Sequence, residues 1–207
     1  QAALAAVQAD PRLGQHVDAQ RLGVVGFSAG GYTALLAAGA RPELQRLLDF
    51  CTGHPDDGVC LPQQEAAKHT LQARLQAAAS PQLRPYMAAA DQSRAISGVR
   101  AVYLLAPAIV QAFAPAQLQA LRQPVSVVLG DGDAVAPPAT NGEILAAQVP
   151  GATLQRLAGV GHYDFLATCT PLGEQRIAPL CSGTVPRSRT HREVEAEAVA
   201  FFGRALQ

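Results

Sequence analysis

Four short apolar, β-branched runs alternate with helix-patterned segments, and this alternation constrains the chain more than any other feature. Residues 21–27 (RLGVVGF), 99–106 (VRAVYLLA), 124–130 (PVSVVLG) and 152–157 (ATLQRL) read as strands. The last is the most polar, which suits a place near a sheet edge. Residues 1–9 read as an Ala-rich helix broken by Asp10-Pro11, and helical patterning recurs at 28–40, 115–122, 140–148 and 190–205. Thr140 and Asn141 are candidate caps for one of these helices, and Thr190 with Glu193 reads as a capping box for the last. Strands alternating with helices predict an α/β fold: a mostly parallel sheet flanked by helices, with right-handed crossovers. Chemistry in such sheets gathers at the carboxyl ends of the strands.

Residues 41–95 interrupt the alternation with a polar stretch rich in Pro, Gln and Ala, and no clean strand. They read as a helical, cap-like insertion within a single domain spanning 1–207. Its Leu44, Leu47, Leu48, Phe50, Leu71, Leu75 and Met87 have two readings, an acyl pocket or plain core at helical spacing.

Composition narrows the function. A chain of 207 residues, 49% hydrophobic and 15% charged, is expected to fold as one ordinary domain rather than stay disordered. Sixteen basic residues balance sixteen acidic ones, which argues against nucleic acid as a partner. No run of about 18 apolar residues is present, so no membrane span is expected.

Three spots at strand ends carry chemistry. The first is Gly26-Phe27-Ser28-Ala29-Gly30, followed by Gly31, a G-x-S-x-G run between a strand and a helix. Ser28 would sit on a strained turn at the positive end of the helix, with the flanking glycines keeping side chains clear. The Ala29 N–H would then serve as an oxyanion donor. Phosphate binding is the rival reading of such a turn, but neither the G-x-x-x-x-G-K-[ST] nor the G-x-G-x-x-G spacing is present. The second spot is Gly130-Asp131-Gly132-Asp133 after the third strand. Asp133 is the candidate acid; Asp131 is its rival, with a loop-pinning role as the plainer reading. The third is Gly159-Val160-Gly161-His162-Tyr163, where His162 is the candidate base. The order Ser28, Asp133, His162 is that of hydrolases with a nucleophile elbow. His16, His54, His69 and His191 lack a comparable setting. Phe27, Tyr32 and Tyr163 flank the expected site and are candidate substrate contacts.

The four cysteines, Cys51, Cys60, Cys169 and Cys181, allow three pairings. Two are plausible locally, Cys51 with Cys60 and Cys169 with Cys181, each closing a short loop; four reduced thiols are the alternative. Paired cysteines imply an oxidising compartment. No export signal is visible in QAALAAVQAD, so the expectation for an exported protein is that its signal has been removed. His54-Pro55-Asp56-Asp57 has a metal-cluster reading, but a stiff loop clipped by Cys51 and Cys60 suits it better, and no metal is expected.

From about residue 20 onward, the chain resembles the α/β-hydrolases. The strings that carry this are RLGVVGFSAGGYTALLAAGARPEL, FC-x-x-HPDD-x-x-C, VVLGDGDAVAPPATN and GVGHYDFLATCTPLG. More narrowly, it resembles the predicted dienelactone-hydrolase-like branch, which is similar to platelet-activating-factor acetylhydrolases. The resemblance implies a serine hydrolase, commonly exported by bacteria to the periplasm or beyond, that uses no cofactor and acts on a small-molecule ester. It makes Ser28 the nucleophile, Asp133 the acid and His162 the base. Dienelactone hydrolases carry Cys at the elbow; Ser28 here favours ester cleavage.

The elbow strand is usually the fifth of eight, yet here it starts near residue 21, so the chain reads as the C-terminal portion of an α/β-hydrolase fold. A preceding segment or a second chain would then complete the sheet. A non-catalytic, partner-dependent subunit and a lactone hydrolase or acyltransferase using the same residues are the alternative functions.

Overall fold

The computed structural model describes residues 1–207. The chain runs α1 (Ala2–Ala9), β1 (Leu22–Phe27), α2 (Ala29–Ala38), α3 (Leu44–Gly53), α4 (Leu71–Ala79), α5 (Arg84–Ala88) and β2 (Val99–Leu105). It continues through α6 (Pro115–Gln119), β3 (Val125–Gly130), α7 (Gly142–Gln148), β4 (Thr153–Leu157), α8 (Pro171–Arg176), α9 (Ala178–Cys181) and α10 (Arg187–Ala205). The four strands form one sheet in the order β1-β2-β3-β4, and every pairing is parallel.

Each strand lies where the apolar runs predict it. The three helices of residues 44–88 contain no strand between them, as the polar composition of that stretch implies. The central strand β3 is buried along its whole length, which explains its unbroken apolar pattern. β4 is the edge strand beside β3, and Thr153, Leu154 and Arg156 are exposed. β1 is the other edge; its Val25 side chain is 57% exposed and one side of its backbone ladder is unpaired.

Two apolar layers sandwich the sheet. On one face, Leu35, Leu118 and Leu145, from α2, α6 and α7, pack against Val102, Leu104 and Val127. On the other, Val194 and Phe201 of α10 pack against Ala101, Tyr103 and Val128. The alternation along β2 follows the strand period of two. The Tyr103 hydroxyl lies 3.1 Å from both the Val194 carbonyl and Glu197 Oε2, and the Ser126 hydroxyl donates to Glu197 Oε1 at 3.1 Å. A polar contact therefore fixes where α10 lies on the sheet. Burial first, then Glu197, hold the Tyr103 phenol well above its ordinary ionisation range.

Both local cysteine pairs are disulfides, Cys51–Cys60 and Cys169–Cys181. The 51–60 bridge is buried with Val59, Ala108 and Ala136. Near the second, the guanidinium of Arg187 holds the carbonyls of Ala167 and Leu180, tying the disulfide loop to the start of α10.

Two local expectations are corrected. The closing helix starts at Arg187, behind Pro186, rather than at Thr190. Thr190 sits inside the first turn with its buried hydroxyl unpartnered, while Glu193 pairs with Arg189, so the capping box does not form. Pro186 stands at the N-cap with ψ 123°, so the chain enters the helix at Arg187, about one turn before the box would start it. Asn141 stands at the N-cap of α7 without making a side-chain cap; its amide donates back to the Pro137 carbonyl and the Thr140 hydroxyl instead. Within the second disulfide loop the chain forms two short helices, α8 and α9.

Candidate active site

The turn between β1 and α2 sets the site. Ser28 has φ 54° and ψ −123°, a conformation that a residue with a Cβ rarely adopts. Such a residue stores about 1–3 kcal/mol and persists where its surroundings over-determine it. Here the Ser28 N–H donates to the Leu105 carbonyl at 3.0 Å, and its carbonyl accepts from Gly31 at 2.8 Å and Ala108 at 3.1 Å. A Cβ on Gly26 would stand 2.3 Å from the Gly30 carbonyl oxygen, and one on Gly31 would stand 3.0 Å from Pro107 Cβ. Gly26 therefore needs glycine, and Gly31 leaves a side chain only a tight fit against Pro107. Gly30 is under no such constraint, because a Cβ there meets open space.

Three side chains converge above the strand ends. His162 Nε2 lies 2.8 Å from Ser28 Oγ, and its Nδ1 lies 2.7 Å from Asp133 Oδ2. The carboxylate can only accept, so Nδ1 carries the proton and Nε2 is left to accept from the serine hydroxyl. His162 and Asp133 are each 4% exposed, and Ser28 is half-buried, so the serine faces solvent from a largely dry imidazole and carboxylate. The Asp133 Oδ1 accepts from the N–H groups of Val135 at 2.9 Å and Ala136 at 2.7 Å, which fixes the carboxylate plane. This arrangement is able to withdraw the serine proton and hold the resulting imidazolium. Ala29 is the first residue of α2, so its N–H lies outside the helix ladder beside Ser28.

Asp131 does not reach His162. Its Oδ1 accepts from the Gly159 N–H at 2.6 Å, pinning the acid loop to the loop that carries His162. Phe27 packs its ring 4.9 Å from the His162 imidazole and 6.1 Å from Phe165, a buttress against the imidazole. Tyr32 packs against Phe113 at 5.3 Å, and burial raises its phenol above the ordinary range. The Tyr163 ring meets His162 edge-on at 5.4 Å and its hydroxyl donates to Glu65 Oε2 at 2.8 Å. Burial first, and then the Glu65 bond, push the Tyr163 phenol up to about 12.

A cleft of about 450 Å³ lies beside His162, lined by Val135, Tyr163, Gln64 and the 182–184 segment among others. None of the seven apolar residues read as a possible acyl pocket lines it. Leu47, Phe50 and Leu71 pack around the Cys51–Cys60 bridge, and Leu44 and Met87 share a separate groove. His54 stacks on Phe50, and Asp57 is engaged by Val59 and Thr140.

Sequence reading missed Glu65 and Asp164. Asp164 is buried, and its Oδ2 accepts from the Gly161 N–H at 2.8 Å, holding the residue before His162. The Gly161-x-x-Asp164 spacing is that of an N-cap and the third residue of a turn, the signal that could have found it. Glu65 carries no such signal, since it lies 98 residues from Tyr163.

No protein-family model matches this chain, and no curated protein matches it. Among solved structures, a puromycin-hydrolyzing peptidase from Mycobacterium tuberculosis aligns with 99% of this chain at 17% identity and a TM-score of 0.49. A predicted CIB-like hydrolase from Thermoplasma acidophilum aligns with 81% at 18% identity and a TM-score of 0.38. A carboxylesterase from Lactobacillus plantarum aligns with 90% at 16% identity and a TM-score of 0.41. The chain spans 24%, 51% and 62% of these three proteins respectively.

Proposed function

We propose that the chain carries the reaction centre of a serine hydrolase of the α/β-hydrolase superfamily, acting on carboxylic esters through an acyl-enzyme. The observation that carries this reading is the hydrogen-bonded line Asp133–His162–Ser28, with Ser28 at a left-handed strand-to-helix turn. His162 Nε2 takes the Ser28 proton as Oγ attacks the ester carbonyl. Asp133 holds the Nδ1–H tautomer and stabilises the imidazolium. The Ala29 N–H donates to the tetrahedral oxyanion, a contact worth about 3–4 kcal/mol of barrier. His162 then protonates the leaving alkoxide, and water activated by His162 releases the acid and restores Ser28.

Within the superfamily, the resemblance of the elbow and HPDD strings supports the dienelactone-hydrolase-like branch. The helical segment 41–95 serves as a cap; the Tyr163–Glu65 bond, which joins it to the residue after His162, supports this. Two disulfides support an exported protein.

Intact-mass spectrometry with a fluorophosphonate, followed by peptide mapping, tests the proposal. One adduct on Ser28 is expected, with none in Ser28→Ala. Ester turnover in that variant is expected to fall at least about 10⁴-fold. A folded wild-type protein that stays unlabelled overturns the reading.

A further inference from the structure

The Asp133 carboxylate is aimed by the backbone that follows it. Its Oδ1 is held by the Val135 and Ala136 N–H groups, so the peptide units of 134–136 decide where Oδ2 meets His162. Asp133 itself organises these units through its bonds to the N–H groups two and three residues on, and Pro137 restricts Ala136. Their other face is braced by a loop about 80 residues earlier in the chain.

Three contacts do this. Gly58 lies against the carbonyls of Ala134 and Val135; a Cβ there would stand 1.9 Å from the first oxygen and 2.9 Å from the second. Ala136 is buried in the cluster of Cys51, Val59, Cys60 and Ala108. Asp57 Oδ2 accepts from the Thr140 hydroxyl at 2.8 Å, at the far end of the acid loop, while its Oδ1 accepts from Val59 N–H at 3.0 Å. The loop is itself rigid: the Cys51–Cys60 disulfide closes it, and Arg74 donates to the carbonyls of Val59 and Cys60.

The chemical consequence lies in one peptide unit. The Ala134 carbonyl that Gly58 packs against and the Val135 N–H that binds Asp133 belong to the same planar amide. Displacing that oxygen turns the N–H off the carboxylate. The same cluster includes Ala108, whose N–H donates to the Ser28 carbonyl, so it also touches the serine turn.

We infer that the Asp57-Gly58 turn of the disulfide-closed loop sets the aim of the Asp133 carboxylate, with Asp57, Gly58 and Thr140 as positioning residues. The catalytic part of this inference rests on the proposed hydrolase reading; the geometric part does not.

The test uses two readouts on the full chain: the downfield Nδ1–H proton resonance of His162 in NMR spectra, and the rate of fluorophosphonate labelling at Ser28. Gly58→Ala and Thr140→Val are expected to weaken or shift the resonance and to slow labelling about 10- to 100-fold, with both disulfides intact by mass. Thr140→Ser keeps the hydroxyl and is expected to restore both. Val149→Ala, a buried substitution at the end of α7 opposite to Thr140, is expected to leave both unchanged.

Wild-type values in Gly58→Ala and Thr140→Val overturn the inference, as does an equal loss in Val149→Ala. Absence of the resonance from the folded wild type also overturns it. Should Gly58→Ala fail to fold, the Thr140→Val and Thr140→Ser pair decides by the same criteria. A wild type that shows the resonance but resists labelling defeats the hydrolase reading and leaves the positioning intact.

Discussion

Ser28 at φ 54° is the point where one residue's geometry and its chemistry coincide. Its neighbours must be small where backbone approaches backbone, and the same rule governs Gly130 at the end of β3. A Cβ there would stand 2.0 Å from the Val160 carbonyl oxygen, which accepts from the Gly132 N–H across the acid and base loops. Gly130→Ala is expected to cost about 1–3 kcal/mol, read as a lower urea midpoint at unchanged m-value. Tyr163 supplies a pH signature. Its phenol is pushed up to about 12 in the fold, against about 10 in an unfolded chain. The folded state therefore holds this proton more tightly. Its contribution to stability is complete below about pH 10 and is lost as pH rises from there through about 12. A tyrosinate absorbance titration of wild type against Tyr163→Phe should differ by one ionisation centred near pH 12. A midpoint near 10 contradicts the burial of this phenol together with its Glu65 contact. The candidate residues Ser28, Asp133 and His162 were readable because each follows a strand run and has a glycine close by. Asp57 and Glu65 were not, because their partners Thr140 and Tyr163 lie 83 and 98 residues away.

At the scale of elements, the two disulfide loops differ in access. Cys51 and Cys60 are each 1% exposed, whereas Cys169 and Cys181 are half-buried. Graded thiol reductant is expected to open Cys169–Cys181 first, followed by alkylation and peptide mass. Opening of Cys51–Cys60 ahead of it contradicts the burial argument. In the loop-entropy model, each bridge contributes roughly 2.5–3 kcal/mol. Helix starts were the least readable part of the sequence. Thr190 and Glu193 carry the right residue types for a cap, yet Pro186 already starts the helix one turn earlier, and Arg187 is drawn inward by the carbonyls of the second disulfide loop. Propensity describes a residue in isolation; here a tertiary anchor overrides it.

For the whole molecule, strand order sets where stability concentrates. β2 and β3 are paired on both sides, while β1 and β4 each leave one side of the ladder open. Hydrogen exchange is expected to be slowest in β2 and β3 and faster at the outward amides of β1 and β4. Equal protection in β1 and β3 would show that the open side of β1 is covered in solution. The strand–turn–helix unit around Ser28, the order of serine, aspartate and histidine, and the two short cysteine loops followed from sequence alone. All three depend on spacings of a few residues or on chain order. The tertiary structure decided what spacing does not encode: that His162 meets a serine 134 residues away. It also decided that the Gly58 turn braces the loop of Asp133, and that Leu47, Phe50 and Leu71 of the insertion pack around a disulfide rather than line the cleft. Those outcomes depend on which surfaces fit together once the sheet has formed, and local periodicity carries no information about that fit.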